Sequence, residues 1–450
     1  MKALTKATTL DDVYQAFRGE PLSMADMSVF YQPTRLARGA RDPRQRIARL
    51  LRRLPDSYEH FLFVGYKGCG KSTELNHLQM DISDQFLVLT FSVQKELDPV
   101  HLNYIELFIV TMEKLFAAAE EHQMRVREEF FESIQAWMGT AEIVEIREKY
   151  NISAEAEAGA EGNIGIPYLK SFFAKFKATA KSSMQLKETL KRNIEPKLSE
   201  LIAHCNNLIR EVGFQLDTIG KTGLVIIIED LDKVPLDRAK NLFFNYANQL
   251  TQLQTNVIFT FPIPLYYHVR FNDIKPYFSE PYELPMIKIK NRDGSENEAG
   301  VKVMEDIVVA RMATERLFSE PGLLKQLIAK SGGCIRDLFI MIQEAAENAL
   351  DLEREQIEAE DVARAVQRLK SEYDNNIADN VVEGEKFTAE QYYKALVDLY
   401  HSNSKKVDNT QEVMHLRQNL CILGYNGEGW TDVHPVVVDI LKERGHIRDE

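Results

Sequence analysis

Phe61-Leu62-Phe63-Val64-Gly65-Tyr66-Lys67-Gly68-Cys69-Gly70-Lys71-Ser72 is the stretch on which the reading of the chain depends. An apolar run leads into G-x-x-x-x-G-K-S, and Ser72-Thr73-Glu74-Leu75 then opens a helix, the strand–loop–helix context of a phosphate-binding loop. Gly65, Gly68 and Gly70 let the backbone curl with its N–H groups inward, in conformations that a Cβ would oppose. Those N–H groups and the helix dipole favour phosphate oxygens. Lys71 is placed to reach the β- and γ-phosphates, and Ser72 to offer its hydroxyl to Mg²⁺. The whole loop, with Tyr66, Lys67, Cys69 and Thr73, is the expected nucleotide cradle. A chance match in a glycine-containing loop is the bland alternative, and the correct flanks argue against it.

The second anchor is Gly223-Leu224-Val225-Ile226-Ile227-Ile228-Glu229-Asp230-Leu231-Asp232. A β-branched run ending in acids is what a fully buried parallel strand shows where its C-terminal end enters an active site. Glu229 and Asp230 are the candidates to hold Mg²⁺ and orient an attacking water. Phe86–Phe91 and Asn256–Pro262 read as further strands, with Thr260 near the end of the second. Glu283–Lys288 resembles a last strand. Strands alternating with helices predict an α/β fold with a parallel sheet.

Between these anchors, helical periodicity runs from about Val100 to Trp137. Ala154–Glu161 alternates with period two, as a hairpin or a low-complexity loop does. Ile166–Lys177 is aromatic and basic, either an amphipathic helix for a membrane surface or partner, or a stripe packed on its own domain. A polar helix is expected over about Ser182–Leu216. Upstream, eight arginines and one acid, Asp42, lie between Arg35 and Arg53. That segment reads as a solvated helix face behind a capped Asp42-Pro43 turn, or as one lying beside the adenine or a neighbouring subunit. Downstream, about Gly300–Lys370 is helical and contains Ser331-Gly332-Gly333-Cys334-Ile335-Arg336. Residues 371–386 read as a polar, acidic linker. The tail reads as helices, a hairpin over Tyr425–Pro435 and a last helix, a winged-helix-like pattern.

The 450 residues allow about two to four domains, at an ordinary 44% hydrophobic and 27% charged. Lys and Arg number 55 against 68 Asp and Glu, a net charge of −13 that argues against whole-surface nucleic-acid binding but leaves room for a local basic patch. Cys69, Cys205, Cys334 and Cys421 show neither C-x-x-C nor zinc spacing and read as reduced thiols. No signal-peptide core or transmembrane-length run appears, so a cytoplasmic protein is expected and membrane contact is not.

Together the motifs resemble AAA-type or STAND-type P-loop ATPases, near the archaeal initiator-like and KAP-like branches. Lys-Ser-Thr-Glu-Leu at 71–75, Glu-Asp-Leu-Asp at 229–232 and Gly-Gly-x-x-Arg-Asp-Leu at 332–338 carry the resemblance, which covers most of the chain outside about 113–220. It implies an N-terminal helical segment over 1–60, a P-loop core over 61–295 with an insertion at about 113–220, a helical lid over 296–370 and a winged-helix-like domain over 387–450. It implies ATP and Mg²⁺ as cofactors. Thr260 would be the sensor 1 residue, Arg336 the sensor 2 arginine and Arg270 an arginine finger. It also implies a homo-oligomer with a protein partner or effector, and in some relatives a place in signalling or antiviral defence. Three features depart from the pattern, one of them the unusually long insertion between the phosphate loop and the acid-ended strand. Glu229 stands where such proteins usually have Asp, which leaves open which acid meets the metal. Thr260 stands where Asn is frequent. The functions that compete are an ATP-driven switch or scaffold, an initiator-like ATPase that binds DNA through the winged helix, and a protein that binds nucleotide without turning it over.

Overall fold

The run His60–Gly65 (β1) has no polar residue after His60, and all six residues are buried, as a strand in the middle of a covered sheet requires. In the computed structural model, which describes residues 4–39, 41–54, 57–152, 165–382, 385–425 and 430–448, β1 pairs in parallel on both sides. The other strands of its sheet are Phe86–Ser92 (β2), Gly223–Glu229 (β3), Asn256–Pro262 (β4) and Tyr282–Leu284 (β5). Their order is β2-β3-β4-β1-β5, all parallel. The register sets Gly65 beside Pro262 and Ser92 beside Glu229, so the phosphate loop, the acids and the end of β2 share one edge of the sheet. Ligands of open parallel sheets bind at that edge, outside the carboxyl ends of the strands.

The last strand is shorter than expected. Pro285 has no N–H to donate and β5 stops at Leu284. Met286 then pairs with the chain's tail, its N–H donating to the Gly424 carbonyl at 3.0 Å. The Val100–Trp137 stretch forms two helices, Tyr104–Glu121 and Glu128–Met138. The expected single helix over Ser182–Leu216 is also two, Met184–Asn193 and Leu198–Gly213, divided by a short turn of helix around Pro196. The aromatic stripe lies on Ile166–Ser182, where Leu169, Phe172, Phe173 and Phe176 are all buried. Phe173 stacks 5.7 Å from Phe116 and 6.4 Å from Trp137, so the stripe is core. Lys177 reaches Glu96, just past β2, at 2.5 Å and ties this layer to the sheet. The alternating run at 154–161 lies outside the described residues.

Five helices follow β5, from Glu298–Arg311 to Ala359–Asn375. The last of them occupies the first part of the expected linker, and Asn380–Val382 (β6) pairs antiparallel with Glu385–Phe387 (β7) in the rest. The tail has helices Ala389–His401, Gln411–Gln418 and Pro435–Glu443 around the antiparallel pair Ile422–Tyr425 (β8) and Trp430–Val433 (β9), whose connecting residues 426–429 are outside the described set. The tail docks through buried His434, which stacks 4.6 Å from Tyr373 and lies 3.2 Å from the Asp337 carboxylate. No helix among the described residues is long and apolar enough to cross a membrane.

Candidate nucleotide site

Gly68 and Gly70 have φ of +78° and +100°, the left-handed region that glycine enters without strain. A Cβ on Gly68 would lie 2.7 Å from the Cβ of Arg336, so the loop's curvature and the approach of the 335–351 helix depend on the same missing atom. The curl brings Lys71 under the loop, where its Nζ donates to the carbonyls of Gly65 at 3.0 Å and Tyr66 at 2.7 Å. The same nitrogen is 2.9 Å from the Asp232 carboxylate. Burial alone would lower the Lys71 ammonium and raise the Asp232 carboxyl. Their mutual attraction outweighs it, holding Lys71 above and Asp232 below their ordinary ranges.

At the end of β3 the backbone turns sharply, with Asp230 itself at φ +68°, and the three acids diverge. Glu229 faces Ser72. Burial pushes its carboxyl up to about 7, with the Ser72 hydroxyl opposing and Asp230 adding to the rise. Asp230 accepts from the Ser92 hydroxyl at the end of β2 and pairs with Lys233 at 2.5 Å. Asp232 takes Lys71, and Thr260 on β4 steadies that turn by accepting the Leu231 N–H at 3.0 Å. Among the described residues no group of three His, Cys, Asp or Glu could hold a metal by itself. The Ser72 hydroxyl and the Glu229 carboxylate nevertheless suit Mg²⁺, which takes one or two protein oxygens and fills its shell with water and phosphate.

A cavity of about 140 Å³ opens above the loop. Its lining combines the loop residues Gly68, Gly70, Lys71, Ser72 and Thr73 with apolar Leu22, Phe30, Ile307 and Phe339 and with the cations Arg336 and Lys233. A base and a triphosphate call for such a mixed lining, apolar surface together with a few polar groups and cations. Two arginines in its wall carry no motif. Arg38 donates to the Cys69 carbonyl at 2.6 Å and to Pro285, clamping the loop to the end of β5. Arg311 donates to the Ala16 carbonyl at 2.8 Å, lies over the Phe339 ring at 4.7 Å, and is pushed down to about 10 by burial.

The site residues expected from sequence thus separate. Lys71, Ser72 and Arg336 line the cavity, and Glu229 lies behind Ser72, whose hydroxyl it faces. Arg336 holds the loop through its own N–H, which donates to the Gly68 carbonyl at 3.3 Å. Lys67, Cys69 and Gly65 are loop backbone, and the Cys69 thiol is buried. Tyr66 turns away: its fully buried hydroxyl accepts from Arg417 of the tail at 2.7 Å. Asp230 and Thr260 lie one layer back. Arg270 is not in the cavity wall. It lies over the Phe244 ring at 5.0 Å and 3.6 Å from Asp273, half-exposed on its own loop. Sequence reading passed over Asp232, although it closes the Glu-Asp-Leu-Asp run, and nothing in the local pattern marks Arg38, Arg311 or Arg417.

A parallel sheet ordered β2-β3-β4-β1-β5, with the phosphate loop after β1 and acids after β3, gives this chain the fold of an AAA-type P-loop ATPase. No family model and no curated protein matches the chain. Among solved structures it is similar to a Walker-type ATPase of Pyrococcus abyssi, with 13% identity, TM-score 0.41, and 95% of this chain and 99% of that one covered. It is also similar to the ORC1 protein of Aeropyrum pernix in complex with DNA, with 13% identity, TM-score 0.35, and 93% and 95% covered. A RuvB variant of Thermotoga maritima aligns at 10% identity, TM-score 0.35, and 95% and 99% covered. The fold assignment rests on this chain's own strand order and loop.

Proposed function

We propose that the protein binds and hydrolyses ATP as a molecular switch or scaffold, coupling nucleotide state to oligomerisation or to a protein partner. One observation carries the reading. A buried lysine under a glycine loop is held by Asp232 and two carbonyls, at the mouth of a cavity that Arg336 enters from a separate helical unit. A γ-phosphate arriving there would compete with Asp232 for Lys71 and draw on Arg336, so filling the slot would act on two parts of the chain at once. In this reading Ser72 and Glu229 hold Mg²⁺, Asp230 orients the attacking water once released from Ser92 and Lys233, and Thr260 positions the turn that carries the acids. Residues 1–60, 61–295, 296–370 and 387–450 serve as N-terminal segment, core, lid and winged-helix-like unit. Signalling or antiviral defence is the setting that this class of switch suits.

The test is ATP binding and steady-state phosphate release by purified protein with and without Mg²⁺, compared with Lys71→Ala. Loss of a buried charge contact of this kind costs about 3–5 kcal/mol. The variant is therefore expected to bind ATP at least a hundredfold more weakly. Unchanged affinity would overturn the assignment. Tight binding without phosphate release by the native chain would leave a nucleotide-binding module and remove the hydrolytic role.

A further inference from the structure

The arginine run of the N-terminal segment resolves into two faces of one helix. Asp42 caps Pro43–Arg53 by accepting the Gln45 N–H at 3.1 Å. On the inner face Ile47, Ala48 and Leu51 are buried, and buried Arg44 pairs with Glu74 at 3.4 Å and with Asp81. Those arginine contacts belong to the packing against the phosphate-loop helix. The outer face is different. Arg46, Arg49 and Arg53 follow one another at helical spacing, all exposed, and Arg41 is exposed just before them. None of these four makes an ion pair or a side-chain hydrogen bond among the described residues.

Arg35, Arg41, Arg46 and Arg49 surround a hollow of about 390 Å³ whose acids, among the described residues, are Asp42 and Glu280. Asp42 is already engaged by the Gln45 N–H and, at 3.4 Å, by Arg44. The hollow is therefore strongly positive in a chain whose net charge is −13. Like charges three and four apart on a helix repel one another, so folding alone gives no reason for the row. All the exposed cations here are arginine, whose planar fork matches phosphate in two places where lysine offers a point charge.

We propose that this outer face binds the phosphodiester backbone of nucleic acid without reading its sequence. From Arg46 to Arg53 the helix rises about 10 Å at 1.5 Å per residue, which spans about three phosphates of one strand. A single small anion would use only part of such a row. The surface is separate from the tail and from the nucleotide cavity, and the proposal does not depend on ATP turnover.

Fluorescence anisotropy with a labelled mixed-sequence single strand and with its duplex, without nucleotide, tests it between about 50 and 200 mM salt. The comparison is R46E/R49E/R53E against R192E/R364E/R368E, which reverses three exposed arginines elsewhere and changes net charge equally. The full-length protein should bind, with affinity falling steeply as salt rises. The first variant should lose at least tenfold in affinity, and its slope of log affinity on log salt should shrink by roughly 2 to 3, about 0.7–0.9 per phosphate contact. The second should bind as the native chain does. Thermal melting confirms that both variants are folded. No binding at the lowest salt, or equal loss in both variants, would overturn the proposal. So would a change in particle mass of the first variant without oligonucleotide binding, which would make the face a contact between copies.

Discussion

Asp232 sets the resting state of the pocket. It holds Lys71 at 2.9 Å in a buried pair, so the lysine meets an incoming phosphate by exchanging one anion for another. Asp232→Asn keeps the shape and removes the charge. The nucleotide-free variant should be less stable, since breaking one side of a buried pair costs about 3–5 kcal/mol when the partner stays charged. Phosphate restores the missing anion, so ATP should raise the melting temperature of the variant more than that of the native chain. Equal or smaller stabilisation by ATP would contradict the exchange. The Asp230 carboxylate is occupied by Ser92 and Lys233 rather than by Lys71. Asp230→Asn should leave ATP bound and slow phosphate release by about 10²- to 10⁴-fold, the usual loss for a proton-transfer group. If Glu229→Gln loses only turnover and Asp230→Asn loses binding, the two acids have the opposite roles.

At the scale of the element, β5 is the point where core and tail meet. Its three residues end at Pro285, and the chain beyond pairs with β8. Glu283 sits on this strand facing the tail. Burial pushes its carboxyl up to about 7, with the Arg417 guanidinium pulling it back. A carboxyl raised above its unfolded value near 4.5 makes the folded state bind the proton more tightly. Its contribution to stability is therefore complete below that value and is lost as pH rises through about 7. Glu283→Gln stays neutral throughout. Its melting temperature relative to the native chain should rise between about pH 5 and pH 8, to an advantage of a few °C. A flat difference across that range would show that Glu283 ionises freely in the fold.

At the scale of the whole molecule, the tail touches both parts of the nucleotide site. Arg417 donates to Tyr66 in the phosphate loop, and His434 packs on Tyr373 and Asp337, beside Arg336. Any rearrangement of the phosphate loop or of the 335–351 helix is thus felt in the tail. Arg270, by contrast, lies outside the wall of this cavity, and as an arginine finger it would serve a γ-phosphate bound in a neighbouring copy. A finger of that kind contributes about 10³- to 10⁵-fold to phosphoryl transfer where one is used. Arg270→Ala and Lys71→Ala proteins, each inactive alone, should regain part of the phosphate-release rate on mixing. No recovery at any ratio, with assembly confirmed by light scattering, would leave Arg270 a surface residue held by Phe244 and Asp273.

Sequence alone determined the central strands, the phosphate loop and the acid-ended β3, because each is written in contiguous residues. A β-branched run has to be buried, and a G-x-x-x-x-G-K-S turn between strand and helix has one physical use. It also identified the arginine run, and the stripe Phe172–Phe176 as either a core or an exposed face. Which of the two it is depended on Phe116 and Trp137, residues about 35 to 60 positions earlier that only folding brings against it. The same holds for the pairing of Lys71 with Asp232 instead of its neighbours. Three acids lie within four positions, and the left-handed backbone at Asp230 decides where each one points. Arg38, Arg311 and Arg417 belong to no local pattern. Their roles come from burial beside carbonyls and rings contributed by distant segments, and a charged side chain in such a place is held by partners that the linear sequence does not set side by side.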